Sequence, residues 1–181
     1  SGTAGTVTVK GLANRAQSIL IDGLGSGVFT DTEGQGEGGN ITLNADNITI
    51  QHGGILSAKT SGTQASAIGG TITVNASQVQ LDSGAAITAN SNGVAHAGNI
   101  NVTANDGLTM QNSSITTLVH PNNNGSTAGG GNIKITTFPT ATVYLQDSTI
   151  SASVPGNGDG GNVTIDPQYV ILQGSEILAQ T

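Results

Sequence analysis

The 181-residue chain has no cysteine and no tryptophan, and it has only two tyrosines and two phenylalanines. Without cysteine, a disulfide scaffold and any metal site built from thiolates are excluded. Charged residues make up 8% of the chain, and no apolar run approaches the ~20 residues that span a bilayer. We therefore expect a protein without disulfides that does not insert into a membrane.

Basic residues are as scarce as aromatic ones. The chain has four of them against eleven acidic residues, and its net charge is −7. The four are Lys10, Arg15, Lys59 and Lys134, and they are scattered along the sequence. Because phosphate groups are bound by clusters of Lys and Arg, this distribution argues against nucleic acid as a partner.

Hydrophobic residues amount to only 35% of the chain, which raises the question of disorder. Disordered chains of low hydrophobicity usually carry many charges and prolines, whereas this chain has four prolines. Its apolar residues are mostly Ile, Val, Leu and Ala, and they recur at regular places. The composition therefore favours a folded chain.

A short glycine-led phrase is abundant instead, and it recurs six times. One copy is Gly39-Asn-Ile-Thr-Leu, in which apolar and polar residues alternate as in a half-buried strand. We call this the A segment. Two more alternating segments follow in every unit, B (for example Ile48 and Ile50) and C (for example Leu56-Ser-Ala). The connections vary in length, which loops tolerate and strand ladders do not.

The repeat predicts the fold. Successive units begin 28 to 34 residues apart, and three short strands per unit cannot bury an apolar face alone. Stacked units can do so, if each strand pairs in parallel with its equivalent one unit away. The sequence therefore predicts an all-β parallel β-helix, a single segment over residues 1–181 with about six coils of three short strands. The coils start near residues 5, 39, 70, 98, 131 and 161. A β-sandwich is the structural alternative.

Glycine precedes the A segment in all six units, and it predicts a tight corner that needs a positive φ. Asn follows it in four units, where stacked amides can form a hydrogen-bonded ladder along the axis. The alternative is that Asn serves only as a good turn residue. The predicted corner and ladder residues are Gly39, Asn40, Gly70, Gly98, Asn99, Gly131, Asn132, Gly161 and Asn162.

The stretch "GGNITLNADNITIQHGGILSAKTSG" (Gly38 to Gly62) and its echoes span nearly the whole chain. They resemble the repeat region of filamentous-haemagglutinin-like exoproteins of two-partner secretion, including large versions predicted in cyanobacteria. The resemblance implies a right-handed β-helix, export through an outer-membrane partner pore, and a role in adhesion or matrix at the cell surface. It thus implies a secreted, extracellular location. The N-terminal secretion domain of the family has no match here.

Parallel β-helices also include polysaccharide lyases and hydrolases, so we considered catalytic residues. Asp31, Glu33 and Glu37 lie close together, but no Arg or Lys stands at an equivalent place in neighbouring units. The "GNGDGG" stretch from Gly156 resembles a calcium turn with Asp159 as its one acid. The three histidines lie on connections of different units. We therefore expect no catalytic residues, no metal and no cofactor.

These observations predict a structural β-helical rod of a secreted bacterial adhesin or extracellular filament. An alternative is a subunit that stacks head to tail into a fibre, and a further one is a glycan-binding or polysaccharide-cleaving β-helix. The expected partners are other copies of the chain or the rest of a longer rod, and surface glycans or matrix. Ligand binding on loops would be expected on the long connections 60–69 and 118–130.

Overall fold

The computed structural model describes residues 4–34, 36–62, 67–120, 127–155 and 157–181. The secondary-structure elements formed by these residues are all β-strands, and every strand pair is parallel. Equivalent strands stack coil upon coil, with about five turns from the first coil to the sixth. The predicted parallel β-helix is confirmed, and its right-handed winding stays a prediction. No described residues form a helix that is long and apolar enough to cross a membrane.

The first three coils contain nine strands that follow the A, B, C order of the sequence. Coil one has β1 (Val7–Val9), β2 (Ala16–Asp22), β3 (Gly27–Phe29) and β4 (Thr32–Gly34). Coil two has β5 (Ile41–Gln51), β6 (Ile55–Ser57) and β7 (Thr60–Gly62). Coil three has β8 (Ile72–Asp82) and β9 (Ala86–Thr88).

The last three coils repeat the same order. Coil four has β10 (Ile100–Gln111) and β11 (Ser114–Thr116). Coil five has β12 (Ile133–Thr136), β13 (Thr142–Gln146) and β14 (Thr149–Ser151). Coil six has β15 (Val163–Asp166), β16 (Tyr169–Gln173) and β17 (Glu176–Leu178).

The A and B segments differ from the expectation of separate strands. In coils two, three and four they form one continuous strand, and all A and B strands belong to a single nine-stranded sheet. The step of five residues from Leu43 to Ile48 is too short for a loop. In β5, Asp46 and Asn47 are both exposed, so the alternation of buried and exposed residues shifts there. The strand thus turns to a second core face without leaving the hydrogen-bonded ladder.

Coil four has one extra residue at this A–B corner. The register between β10 and β8 shifts between Ala104 and Gly107, and Gly107 has a φ of 146°. An extra residue in one strand of a pair is a β-bulge, and glycine accepts its unusual backbone angles. The bulge keeps Leu108 and Met110 buried in spite of the longer step.

The C segments form a separate six-stranded sheet from β3 to β17. Beyond this sheet, β4 and β7 pair, and isolated bridges continue the pairing through Thr60, Ser91 and Val119. The connections from C to A, which were expected to be loops, therefore begin with a short fourth ladder in the first four coils.

The core consists of columns of aliphatic side chains, because equivalent residues of successive coils lie in register. In the A column, Ile41, Ile72, Ile100 and Ile133 pair in order and are at most 1% exposed. Complete burial of such a side chain stabilises the fold by roughly 1.5–3 kcal/mol. Small aliphatic residues suffice for this thin core, which accounts for the scarcity of aromatic residues.

The B–C turn uses left-handed backbone conformations in every coil. The residue that follows the B strand has a positive φ each time, at Gly23, His52, Ser83, Asn112, Asp147 and Gly174. Four of these residues are not glycine, and Asn, Asp and His are enriched among the residues that accept this conformation. The turn therefore depends on the backbone angle at this position more than on one residue type.

Candidate functional site

The glycines before the A segments form a column in which backbones of neighbouring coils touch. A Cβ atom on Gly70, Gly98, Gly131 or Gly161 would lie well under 3.0 Å from the carbonyl oxygen of the preceding glycine in the column. A Cβ on Gly39 would meet the carbonyl oxygen of Gly5 in the same way. Gly5 itself has no atom within 4 Å of such a position.

The physical reason given from the sequence for these glycines, a positive φ, is wrong. None of the described column glycines has a φ in the left-handed region, whereas Gly23, Gly53 and Gly84 at the B–C turns do. Glycine is needed at the A corner because the coils approach each other closely there, which is another common use of the residue.

Asn side chains beside this column are hydrogen-bonded from coil to coil. Oδ1 of Asn99 accepts from the backbone N–H of Asn132 at 2.9 Å and from its side-chain amide at 3.3 Å. Oδ1 of Asn132 accepts from the same two groups of Asn162 at 3.0 and 3.1 Å. Asn40 accepts from the N–H of Thr71 at 2.8 Å, and Thr71 interrupts the amide column in coil three.

The ladder borders a shallow groove on the outer face of the A strands. Two open concavities of 380 and 540 Å³ lie along it and share Thr71 and Asn99 in their walls. Their walls combine amides, hydroxyls and backbone with the apolar side chains of Ile68 and Ile133, and the charged groups are Lys134 and Glu37. This groove offers hydrogen bonds to a ligand, but it contains no pair of groups placed for acid–base chemistry.

Two of the acidic residues near the first coil, Asp31 and Asp46, bond neighbouring coils to each other. Oδ1 of Asp31 accepts from the Ser57 hydroxyl at 2.5 Å and from the N–H of Lys59 at 2.8 Å. Arg15 pairs with Asp46, with its Nε 2.8 Å from Oδ1, and does not join Asp31. Glu33 lies on β4, and the backbone carbonyl of Glu37 accepts from Thr32.

The histidines lie in three separate places. Nδ1 of His52 is 2.7 Å from Oδ1 of Asp22, and this hydrogen bond lowers the pKa of the Asp22 carboxyl below its ordinary value. Nδ1 of His96 accepts from the N–H of Gly129 at 2.8 Å, and His120 lies on a C–A connection. Among the described residues, no three His, Asp or Glu side chains are grouped to hold a metal ion.

Some expected sites fall partly outside the described residues. Gly156 of the calcium-like stretch is one of them, and Asp159 from the same stretch is exposed. The connections expected to carry ligand-binding loops include residues 63–66 and 121–126, which also lie outside the described part of the chain. The expectation of binding on these connections stays a prediction.

Sequence reasoning missed a serine ladder at the B–C turn. The N–H of Ser113 donates to the Ser148 hydroxyl at 3.2 Å, and the N–H of Ser148 donates to the Ser175 hydroxyl at 3.0 Å. Each serine stands two residues before the central Ile of a C strand, so the recurring Ser-x-Ile was the available signal. This signal is weak because the Ser-x-Ile pattern is not present at the equivalent place in the first three coils.

No family model, no curated protein and no solved structure matches this chain.

Proposed function

We propose that the chain is a structural rod segment of a secreted bacterial cell-surface adhesin or extracellular filament, of the filamentous-haemagglutinin-like kind. The observation that supports this most is the unbroken parallel ladder through all six coils. Backbone contact at the glycine column and bonded side chains between coils reinforce it. A rod whose polar side chains are hydrogen-bonded from coil to coil is suited to serve as a stiff structural spacer.

The location is tested on intact cells of the organism that makes the protein. Antibodies against this segment should label the cell surface, and the label should disappear after brief treatment with an external protease. Cells that lack the gene should adhere less to host or matrix surfaces. Labelling that requires permeabilised cells would contradict the proposal.

A second candidate is a subunit that stacks head to tail into a fibre. The observation that favours it is an outward column of uncharged residues that ends in an acid in coil six. The column runs Asn44, Asn75, Thr103, Thr136 and Asp166. Lys10 follows Val9, the register partner of Leu43, and so extends this column to coil one. If the sixth coil of one copy lay on the first coil of the next in the same register, Asp166 would meet Lys10.

Electron microscopy of the purified chain separates the two candidates. Stacking predicts filaments at high protein concentration that shorten when Lys10→Asp places two acids at the junction. Discrete short rods at every concentration would exclude the fibre and leave the rod segment. Neither candidate includes a catalytic role. If the purified chain cleaved acidic polysaccharides and the Asp31→Asn variant did not, both candidates would be wrong and the chain would be an enzyme.

A further inference from the structure

Aromatic residues are concentrated on one part of the surface. The chain has four, and three of them, Phe138, Tyr144 and Tyr169, lie in coils five and six. Phe138 is 52% exposed and Tyr169 is 56% exposed, although neither is needed in the aliphatic core. A group of exposed aromatic rings on a protein with one other aromatic residue, Phe29, is a typical sign of a binding surface.

The tyrosines belong to the outer face of the B strands. Tyr169 pairs with Thr142, which pairs with Gly107 opposite Gln78. Tyr169 alternates with Val170 and Leu172, whose register partners Val143 and Leu145 are buried, so the Tyr169 side chain points away from the core. Tyr144 pairs with Ile171, and Tyr169 lies diagonal to it within reach of a large ring.

The Tyr144 ring is held in place by amides. Its hydroxyl donates to Oε1 of Gln173 at 2.7 Å and lies 3.2 Å from Oε1 of Gln146. Gln146 is two positions along the same strand and Gln173 lies in the next coil, so the hydroxyl of the half-buried Tyr144 is held between two coils. A ring that is fixed before binding loses little conformational entropy when a ligand stacks on it.

A cleft lies beside these rings at the A–B corner of coils five and six. It has a volume of 390 Å³ and is lined by Thr137, Pro139, Asp166, Pro167 and Gln168. In the sequence, Phe138 lies between Thr137 and Pro139, and Tyr169 follows Gln168. The corner is anchored, since the N–H of Phe138 donates to the carbonyl of Asn105 at 2.9 Å in coil four.

The same outer face continues from the tyrosines toward coil two as a lane of hydroxyls and amides. Thr49, Gln80, Thr109 and Tyr144 lie in register along one column, at about 4.8 Å per coil. A concavity of 380 Å³ lies along the lane between coils two and four. None of the four basic residues lies in the columns of this lane or lines the cleft.

We propose that this face binds an uncharged, linear polysaccharide. Ring faces of Tyr144 and Tyr169 suit the C–H faces of sugar rings, and the flanking amides and hydroxyls suit sugar hydroxyls. Arg15 reaches Ser77 beside the lane, but its charge is paired with Asp46. With no basic side chain in the lining of the cleft or the lane, the nearby acids Asp147 and Asp166 disfavour an acidic polymer. A lane over several coils fits an extended chain better than a single sugar. This binding goes beyond the rod proposal and stands independently of it.

The test is retention of the whole chain on polysaccharides. The probes are microcrystalline cellulose, chitin and a soluble neutral β-glucan, with polygalacturonate as the charged contrast. We expect binding to at least one neutral polymer. The double variant Tyr144→Thr/Tyr169→Gln should bind roughly a hundredfold more weakly, about tenfold per lost stacking contact. Both substitutions introduce residues that already occupy the same columns, at Thr109 and Gln78.

Phe29→Ser is the matched control. Phe29 is the fourth aromatic residue, is 50% exposed, and pairs with Ser57 in its own column, but lies in coil one on the C sheet. The Phe29→Ser variant should bind the neutral polymer as the wild type does. Circular dichroism should show the same β spectrum for all variants. The proposal is overturned if no neutral polymer is retained, if polygalacturonate is retained equally, or if the tyrosine variant binds like the wild type.

Discussion

At the scale of single residues, position in a column decides what a side chain does. Two kinds of glycine illustrate this. Gly84 is suited to its turn by a φ of 85°, whereas Gly70 is needed because the backbone of Gly39 leaves no space for a Cβ atom. Glycine is thus favoured by the backbone φ angle at one corner and by the lack of space for a Cβ atom at another.

The glycine column gives the sharpest stability prediction. Gly70→Ala places a Cβ well under 3.0 Å from the Gly39 carbonyl, so coils two and three must move apart. We expect a loss of about 2–4 kcal/mol in the free energy of unfolding, measured by urea denaturation. Gly5→Ala in the same column meets no atom within 4 Å and serves as the control. Equal effects of the two substitutions would contradict the close-approach explanation.

The Asp22–His52 pair predicts a small pH effect. Because the hydrogen bond from His52 lowers the pKa of Asp22 in the folded chain, folding favours the ionised carboxylate. Its contribution is complete above the pKa of the unfolded chain and is lost as the pH falls through the lower folded value. The urea midpoint should therefore fall more between about pH 6 and about pH 2 in the wild type than in His52→Ala. Identical profiles would show that the pair adds nothing.

At the scale of strands, the repeat made most of the fold predictable. The alternation at Ile41 and Leu43, at Ile48 and Ile50, and at Leu56 located the three core faces of coil two, because a thin core requires inward residues at fixed places. The continuity of β5 through Asp46 and Asn47 was not predictable in this way. It depends on the ladder to the neighbouring coils, which hydrogen-bonds a corner that in isolation resembles a loop.

The corner and ladder residues were predictable for the same reason, since a column shows in the sequence as a repeated letter. Asn99, Asn132 and Asn162 recur at equivalent places and are bonded to one another. The tyrosine surface was harder to predict. Tyr144 and Tyr169 occupy different columns, and only the register of β13 with β16 brings them together.

The bulge in β10 predicts opposite outcomes for two deletions of one residue. Deleting Asp106 leaves a step of five residues, as in coils two and three, and should change the unfolding free energy by less than about 1 kcal/mol. Deleting Thr109 shifts Met110, which is fully buried, to the outer face and should unfold the middle coils. Both are measured by urea denaturation and circular dichroism. A severe effect of the first deletion would mean that the bulge is required.

At the scale of the whole molecule, the main contacts of each coil are with its neighbours, and the Arg15–Ser77 hydrogen bond is an exception that skips one coil. Stability is therefore nearly a sum over coils and their interfaces. The described coils share one continuous core and one set of ladders, from Val9 and Ile19 to Ile165 and Ile177. The length of the rod is therefore adjustable in units of one coil.

Removal of residues 70–97 tests this modularity. The deletion joins Gly69 to Gly98, so the glycine corner is kept and Ile41 can pair with Ile100. We expect a folded, cooperative rod that is shorter by about 4.8 Å in small-angle X-ray scattering. Removal of residues 70–83 is the control, because half a coil brings unlike strands together and should abolish the cooperative transition. A folded half-coil variant would argue against in-register stacking.

The parallel ladder also determines how the molecule responds to force. The hydrogen bonds between coils run along the axis, so tension on the chain ends peels the last coil away bond by bond instead of shearing many bonds at once. Each detached coil releases 28 to 34 residues. At about 3.4 Å per residue, that is roughly 100 Å of extended chain in place of ~4.8 Å of rod. Under load, a stiff spacer of this design lengthens stepwise and dissipates work one coil at a time.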